Sequence, residues 1–371
     1  MLEQSNNGAE SNTPPIGLSI STDRSAGIIT LDRPKALNAL TDQMRAVLPP
    51  VLNSWAQDPM IYGSIIESTS PKAFSAGGDL REYCTVAKSN LDEAMRQTAV
   101  EYTLNWQFEC HPKPMVSLID GICMGSGVGL SVFNTHRVAG QGYRFAMPEV
   151  CAGFFPDVGA TYFLARLPSE IGMYLALTGR AIGRDDAYRL GLATHCIDRE
   201  RFDVIRAALA NADTIDPVLD DLHEDPGGGE VMALEGTIQS VFSAPSVEET
   251  IKRLGQISGP ERAWADQTAD EMAKNSPTSL KVAHRQMRLG GDLDLEEALK
   301  LEYRLARHFL TAHDLYEGVR ALLVDKDQRP AWQPATLADV SDEAVTLCFE
   351  PDDAAMDLEL PTFHAGPGPI A

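Results

Sequence analysis

The run MVSLIDGICMGSGVGLSVF, residues 115–133, limits the fold more than any other stretch. Its first ten residues are β-rich, a glycine cluster follows, and from Gly129 the pattern turns helical. A strand that passes through glycines into a helix belongs to layered α/β domains. The same order occurs earlier. YGSIIEST reads as a strand at about 62–69, and PKAFSAGGDLREY is a glycine-bearing loop that leads into a helix.

Around these runs the elements alternate. IGLSIST and AGIITLD form a hairpin at about 16–32. Thr41 or Asp42 caps a helix running to about 56, and another helix covers about 91–110. HRVAGQGYRFAMPE gives short strands. ATYFLARLPSEIGMYLALTGR and RDDAYRLGLATHCI supply helices and a last strand. After about 200 the character changes. DTIDPVLDDLHEDPGGGE reads as an acidic connector, and residues 230–325 are helical, with Ser276 capping a helix that has Pro277 at its first position. The expected organisation is a disordered lead at 1–15, an α/β core with the active site at 16–225, a helical region at 226–345 and a mobile tail at 346–371. No internal repeat of solenoid period is present.

Composition excludes several classes. Hydrophobic residues make up 44%, enough for a sizeable core. No apolar run reaches the roughly 18 residues of a membrane span. MLEQSNNGAESNTPP has neither the basic start and apolar centre of a signal peptide nor the arginines of a transit peptide, so a cytoplasmic protein is expected. Cys84, Cys110, Cys123, Cys151, Cys196 and Cys348 show no CxxC or zinc spacing and read as reduced core thiols. The eight histidines lack HExxH or related spacing, His313 reads as a packed or surface residue, and no metal is expected. A formal net charge of -22 disfavours nucleic acid, which needs clustered Lys and Arg. An anionic small molecule can still bind where a few basic groups converge.

Gly125-Ser126-Gly127 sits between strand and helix. Free N–H groups at a helix start attract negative charge, and glycine lets a ligand approach the backbone. The functional reading is an oxyanion hole, with N–H groups aimed at a carbonyl oxygen that becomes negative. The alternative is a glycine loop for tight helix packing, and this segment alone does not decide. Other glycine motifs fail on spelling. A P-loop needs Gly-Lys-Ser/Thr, a dinucleotide GxGxxG needs glycine at Leu130, and the nucleophile elbow fails because Met124 precedes Gly125. Gly77 and Gly78 form a second loop, where Asp79 reads as a helix cap. Two such loops can give one N–H apiece to a single oxygen.

Two carboxylates, Glu149 and Asp157, lie in FAMPEVCAGFFPDVGATYFL, each after a proline and among apolar neighbours. Burial raises a carboxyl pKa and a helix N-terminus lowers it. Asp157 precedes a helical run, so it is expected near that helix's positive end and ionised, with capping as its rival role. Glu149 has no helix of its own to cap and reads as functional. Glu101, in mid-helix EYTLNWQ, reads as solvated face on sequence alone.

Together, KAFSAGGDL, DGICMGSGVGLSV and FAMPEVCAGFFPDVGATYFLARL resemble the enoyl-CoA hydratase/isomerase (crotonase) superfamily, and most closely its 3-hydroxyisobutyryl-CoA hydrolase branch. LALTGR, GLATHCID, SPTSLKVAHRQM and EYRLARHFLTAHDLYEGVRALLVDKDQRPAWQP extend the likeness over roughly residues 16–345. The resemblance implies an α/β fold, a spiral of ββα units with a helical C-terminal region, and a small acyl group on coenzyme A as substrate. It implies that the N–H groups of Gly78 and Ser126 hold the thioester oxygen, with Ala76 and Gly125 beside them. Glu149 matches the catalytic acid, Asp157 the branch's second acid, and Glu101 a substrate contact. RPKALNAL, with Lys35, Ala36 and Leu37, matches the CoA-contacting segment, where Lys35 can meet a phosphate.

One departure bears on the reaction. Hydratases carry a second glutamate where this chain has Gly129, and hydration usually needs two carboxylates. Hydrolysis of 3-hydroxyisobutyryl-CoA, a step of valine catabolism, is therefore expected, with coenzyme A as part of the substrate and no other cofactor. Ser126 stands where the branch usually has glycine, so its side chain narrows the pocket or hydrogen-bonds locally. The alternatives are an enoyl-CoA hydratase or isomerase and a non-catalytic acyl-CoA-binding protein that kept the fold. Family members often assemble through C-terminal helices, so a homo-oligomer is admissible, while membrane and nucleic-acid partners are not expected.

Overall fold

Within residues 17–351 and 357–362, which the computed structural model describes, the strands form two sheets. The larger contains β1 (Leu18–Asp23), β2 (Ala26–Leu31), β3 (Gly63–Ser68), β5 (Met115–Ile119), β7 (His136–Ala139) and β9 (His195–Cys196), in that order. The smaller contains β4 (Ala73–Ser75), β6 (Ile122–Met124) and β8 (Arg144–Ala146). The β1–β2 hairpin is antiparallel and the other pairs are parallel. Each ββα unit thus gives one strand to each sheet before turning into helix. β3 and β4 lead to helices Leu80–Ser89 and Leu91–Glu109, and β5 and β6 lead to Ser126–Gly129. This is the expected spiral.

In the larger sheet, successive residues serve opposite faces. Ile66 and Met115 join the main core, while Ile65, Val116 and Leu118 pack under helices Phe202–Ala210 and Ile215–Leu222. Burial on both faces explains why these parallel strands read as apolar runs.

The structure departs from the sequence reading in four places. The stretch read as a connector contains the helix Ile215–Leu222. Ile215, Leu219 and Leu222 recur at helical spacing and are buried, so the acids between them face water. The helix expected over 42–56 is two helices, Asp42–Ala46 and Leu48–Gln57, because Pro49 and Pro50 lack donors and suit a first turn. The helix expected from Gly129 instead begins at Ser126 and ends at Gly129, so the glycine cluster is itself helical. The tail expected from 346 starts inside helix Asp342–Phe349, and Leu358 is buried. The lead at 1–15, with residues 352–356 and 363–371 of the tail, lies outside the described residues.

In the C-terminal region, the Ser276 hydroxyl accepts from the Ser279 N–H at 3.1 Å and caps Pro277–Gly290. Asp294 and Glu297 form a capping box that starts Leu295–Thr311. The latter helix packs on Leu91–Glu109, and Pro277–Gly290 packs on Ile171–Thr178. The six cysteines are free thiols. Among the described residues, no helix is long and apolar enough to cross a membrane.

Candidate active site

β4, β6 and β8 are parallel neighbours, with Ser75 paired to Cys123 and Cys123 to Phe145. Their C-terminal ends therefore lie side by side. Gly77-Gly78 follows the first, Gly125-Ser126 the second and Pro148-Glu149 the third. Ligands of parallel sheets bind outside the carboxyl ends of strands. Here these segments line a cavity of about 110 Å³ with Ala76, Arg45, Tyr83, Glu101, Phe154 and Asp157.

The two glycine loops touch because they lack side chains. A Cβ on Gly77 would stand 3.2 Å from the Met124 carbonyl oxygen and 3.7 Å from the Ser126 nitrogen. Gly77 has φ 105° and Gly125 φ 50°, which other residues rarely adopt. The 33–40 loop pins the first glycine loop. The Ala76 N–H donates to Leu37 at 2.9 Å, the Leu40 N–H to Gly77 at 2.8 Å and the Asp79 N–H to Leu40 at 2.9 Å. Among the described residues, no acceptor pairs with the N–H of Gly78, or with that of Ser126 at its helix start. The Ser126 hydroxyl lies 3.1 Å from where a Gly78 Cβ would be. Asp79 accepts from the Glu82 N–H at 3.4 Å, in the capping role read from sequence.

Glu149 begins a single turn, Glu149–Ala152. Its Oε1 lies 2.9 Å from where a Gly125 Cβ would stand, and among the described residues its Oε2 has no hydrogen-bond partner. The residue is part-exposed and lines the cavity, but protein surrounds its carboxyl. Burial pushes the carboxyl pKa up, and the negative charges of Glu302 and Glu101 add to the rise.

Asp157 accepts a hydrogen bond from the Tyr102 hydroxyl at 3.1 Å. Burial pushes it well above the usual carboxylate range. Glu149, Glu101 and Glu302 push the same way, against the Tyr102 bond. Asp157 does lie at the helix start expected for it, its carbonyl accepting from the Ala160 N–H at 3.0 Å, but its carboxyl does not take the helix donors and burial works against the expected ionised form. That N-terminus, at Ala160–Phe163, is taken by Glu302 from Leu295–Thr311. Glu302 accepts from the Gly159 N–H at 2.7 Å and the Thr161 N–H at 2.8 Å. Burial raises Glu302 to about 7 despite these bonds.

Glu101 is not solvated face. It pairs with Arg45 at 3.1 Å, their side chains being 13% and 7% exposed, and both line the cavity. Arg45, Tyr83, Tyr102 and Glu302 escaped the sequence reading. For Glu302 a signal existed, since it shares the apolar stripe of Leu295, Leu299, Leu305 and Phe309. Lys35, Ala36 and Leu37 do not line the cavity. Lys35 is exposed on the turn Pro34–Ala36, and Leu37 acts through its carbonyl on Ala76.

Position 129 has no room for an acid. A Cβ there would stand 2.7 Å from the Asn105 Nδ2 and 2.9 Å from the Val158 Cβ. Val158, next to Asp157, occupies the place a larger side chain would need.

The chain matches the family model described as enoyl-CoA hydratase/isomerase over residues 26–349. It is 42% identical over 336 residues to the mitochondrial 3-hydroxyisobutyryl-CoA hydrolase of Gallus gallus, covering 88% of this chain and 86% of that one. It is also 42% identical over 345 residues to the Danio rerio protein of the same name, covering 90% and 89%. The crystal structure of a carnitinyl-CoA dehydratase from Mycobacterium thermoresistibile has a TM-score of 0.87 at 34% identity, covering 93% of this chain and 99% of that one. Both hydrolase relatives are mitochondrial by name, which overturns the cytoplasmic address read from residues 1–15. That reading weighed the composition of a short lead, which the packing of a folded core does not constrain. The sheet pair, the two glycine loops and a match across most of its length place this chain in the enoyl-CoA hydratase/isomerase family.

Proposed function

We propose that this chain hydrolyses an acyl-CoA thioester, 3-hydroxyisobutyryl-CoA, to 3-hydroxyisobutyrate and free coenzyme A. Family membership supports an acyl-CoA substrate, and the names of the relatives support hydrolysis of this ester. The observation that carries the reading is a buried Glu149 oxygen that, among the described residues, has no partner, beside two glycine loops whose Gly78 and Ser126 N–H groups also lack partners there.

In this reading the thioester oxygen accepts from both N–H groups. Negative charge grows on it as an oxygen nucleophile adds to the carbonyl carbon, and each preorganised donor contributes about 3–4 kcal/mol. Glu149 either takes a proton from the attacking water, or attacks itself and forms an anhydride that water opens. In both routes the carbon–sulfur bond breaks and the sulfur leaves as the CoA thiol, its proton coming from the attacking water through Glu149 in the first route and, in the second, reaching the departed thiolate from the water that opens the anhydride. Asp157, pushed toward its neutral form by burial, donates a hydrogen bond to the substrate 3-hydroxyl or to Glu149. Glu101 and Arg45 supply a paired polar wall. Lys35, on the adjoining turn with Ala36 and Leu37, meets a CoA phosphate. Coenzyme A arrives as part of the substrate, so this chemistry calls for no further cofactor.

The test is thiol release from 3-hydroxyisobutyryl-CoA beside crotonyl-CoA. Free thiol from the first and a stable enoyl absorbance in the second are expected. Loss of that absorbance without thiol would make the protein a hydratase. Tight binding with no turnover of either would make it a binding protein.

A further inference from the structure

Asp157 sits in a segment that its own backbone bonds, such as Ala160 N–H to the Asp157 carbonyl at 3.0 Å, hold only in part. Val158 has φ 53°, a genuine outlier for a β-branched residue. Two side chains from the C-terminal helices bond this segment. Gln286, on Pro277–Gly290, donates from Nε2 to the Pro156 carbonyl at 2.6 Å and to the Thr161 hydroxyl at 2.7 Å. Glu302 accepts from Gly159 and Thr161, as described. Both side chains are fully buried, and neither lines the cavity. The Gln286 Oε1 lacks a partner among the described residues, so its two acceptors orient the amide.

We infer that Gln286 and Glu302 are positioning residues, which clamp the backbone on both sides of Asp157 and so aim its carboxyl into the cavity. A carboxylate is drawn to the free N–H groups of a helix start. Asp157, two residues before Gly159, is close enough to compete for them. Because Glu302 fills those donors, Asp157 is left to Tyr102 and the cavity. The strain at Val158 persists because the clamp over-determines it. The C-terminal helical region thereby acts on the chemistry without touching substrate.

The inference rests on the hydrolase reading, so wild-type thiol release is measured first. Gln286→Leu and Glu302→Gln are then assayed alone and with Asp157→Asn. Each alone should lower kcat about tenfold or more and leave KM within about threefold. Neither should cost anything further once Asp157 is Asn, because both act through it. Glu302→Gln should also move the pH profile of kcat to lower pH, since it removes a negative neighbour of Glu149 and Asp157. Wild-type kcat in the folded variants, equal losses in both backgrounds, or an unmoved profile in Glu302→Gln would overturn the clamp. If Glu302→Gln does not fold, Gln286→Leu in the two backgrounds decides the same question. A wild type that releases no thiol sinks the hydrolase reading alone. The clamp is then judged by the infrared band of the Asp157 carboxyl, identified with Asp157→Asn. It should shift in both variants, and its constancy would overturn the clamp.

Discussion

The Glu149 carboxyl stands against the backbone of Gly125, where an added Cβ would lie 2.9 Å from Oε1. The proposed catalytic acid and the second oxyanion loop are therefore packed as one unit, and the missing side chain lets them meet. Gly125 also holds φ 50°. Gly125→Ala should lower kcat on 3-hydroxyisobutyryl-CoA by roughly a hundredfold, through displacement of both groups. Steady-state kinetics check this, and a wild-type kcat would mean that the contact is idle.

Gly129 is walled by Asn105 and Val158. Gly129→Glu should not create a hydratase. It should instead destabilise the fold by about 1–3 kcal/mol through overpacking. Denaturant unfolding and a crotonyl-CoA assay read the two effects. A stable variant that hydrates crotonyl-CoA would contradict the packing account.

Asp157 is held above the usual carboxylate range by burial and then by Glu149. An acid whose folded-state pKa is raised loses stability as pH rises from its unfolded value through its folded one. A neutral Asn escapes that loss. Asp157→Asn should therefore melt above the wild type near pH 8, with an advantage that shrinks toward about pH 4. Thermal melts across this range decide it, and a variant less stable than wild type at the alkaline end would reverse the sign.

Arg45 and Glu101 pair in the cavity wall with little exposure. Arg45→Met leaves a carboxylate buried without its cation, which should cost about 3 kcal/mol of stability. The double variant with Glu101→Gln should recover most of that. Urea titrations of the single and double variants test the pair, and a single variant as stable as the wild type would show that solvent already screens it.

What the sequence revealed was local. The strands and glycine loops were legible because side-chain period and glycine geometry are set within a few residues. Glu149 was legible because a charge in an apolar run, with no helix of its own to cap, needs a reason. Asp157 was half legible, since its place in the chain predicted a helix start but not the rival for it. Glu302 reaches that helix start from 143 residues away, and Gln286 reaches Pro156 from 130. No local pattern encodes such pairings. The pairing of Arg45 with Glu101, 56 residues apart, escaped for the same reason, because Glu101 alone reads as a solvated helix face. The helix at Ile215–Leu222 was hidden by acidic composition, although its apolar spacing was present.

Glu149→Gln, assayed for thiol release from 3-hydroxyisobutyryl-CoA and for CoA binding, tests the central claim most directly. The account predicts a kcat lower by roughly a thousandfold, with CoA affinity nearly unchanged, because the amide cannot act as base or nucleophile. Hydrolysis at the wild-type rate by that variant would contradict it.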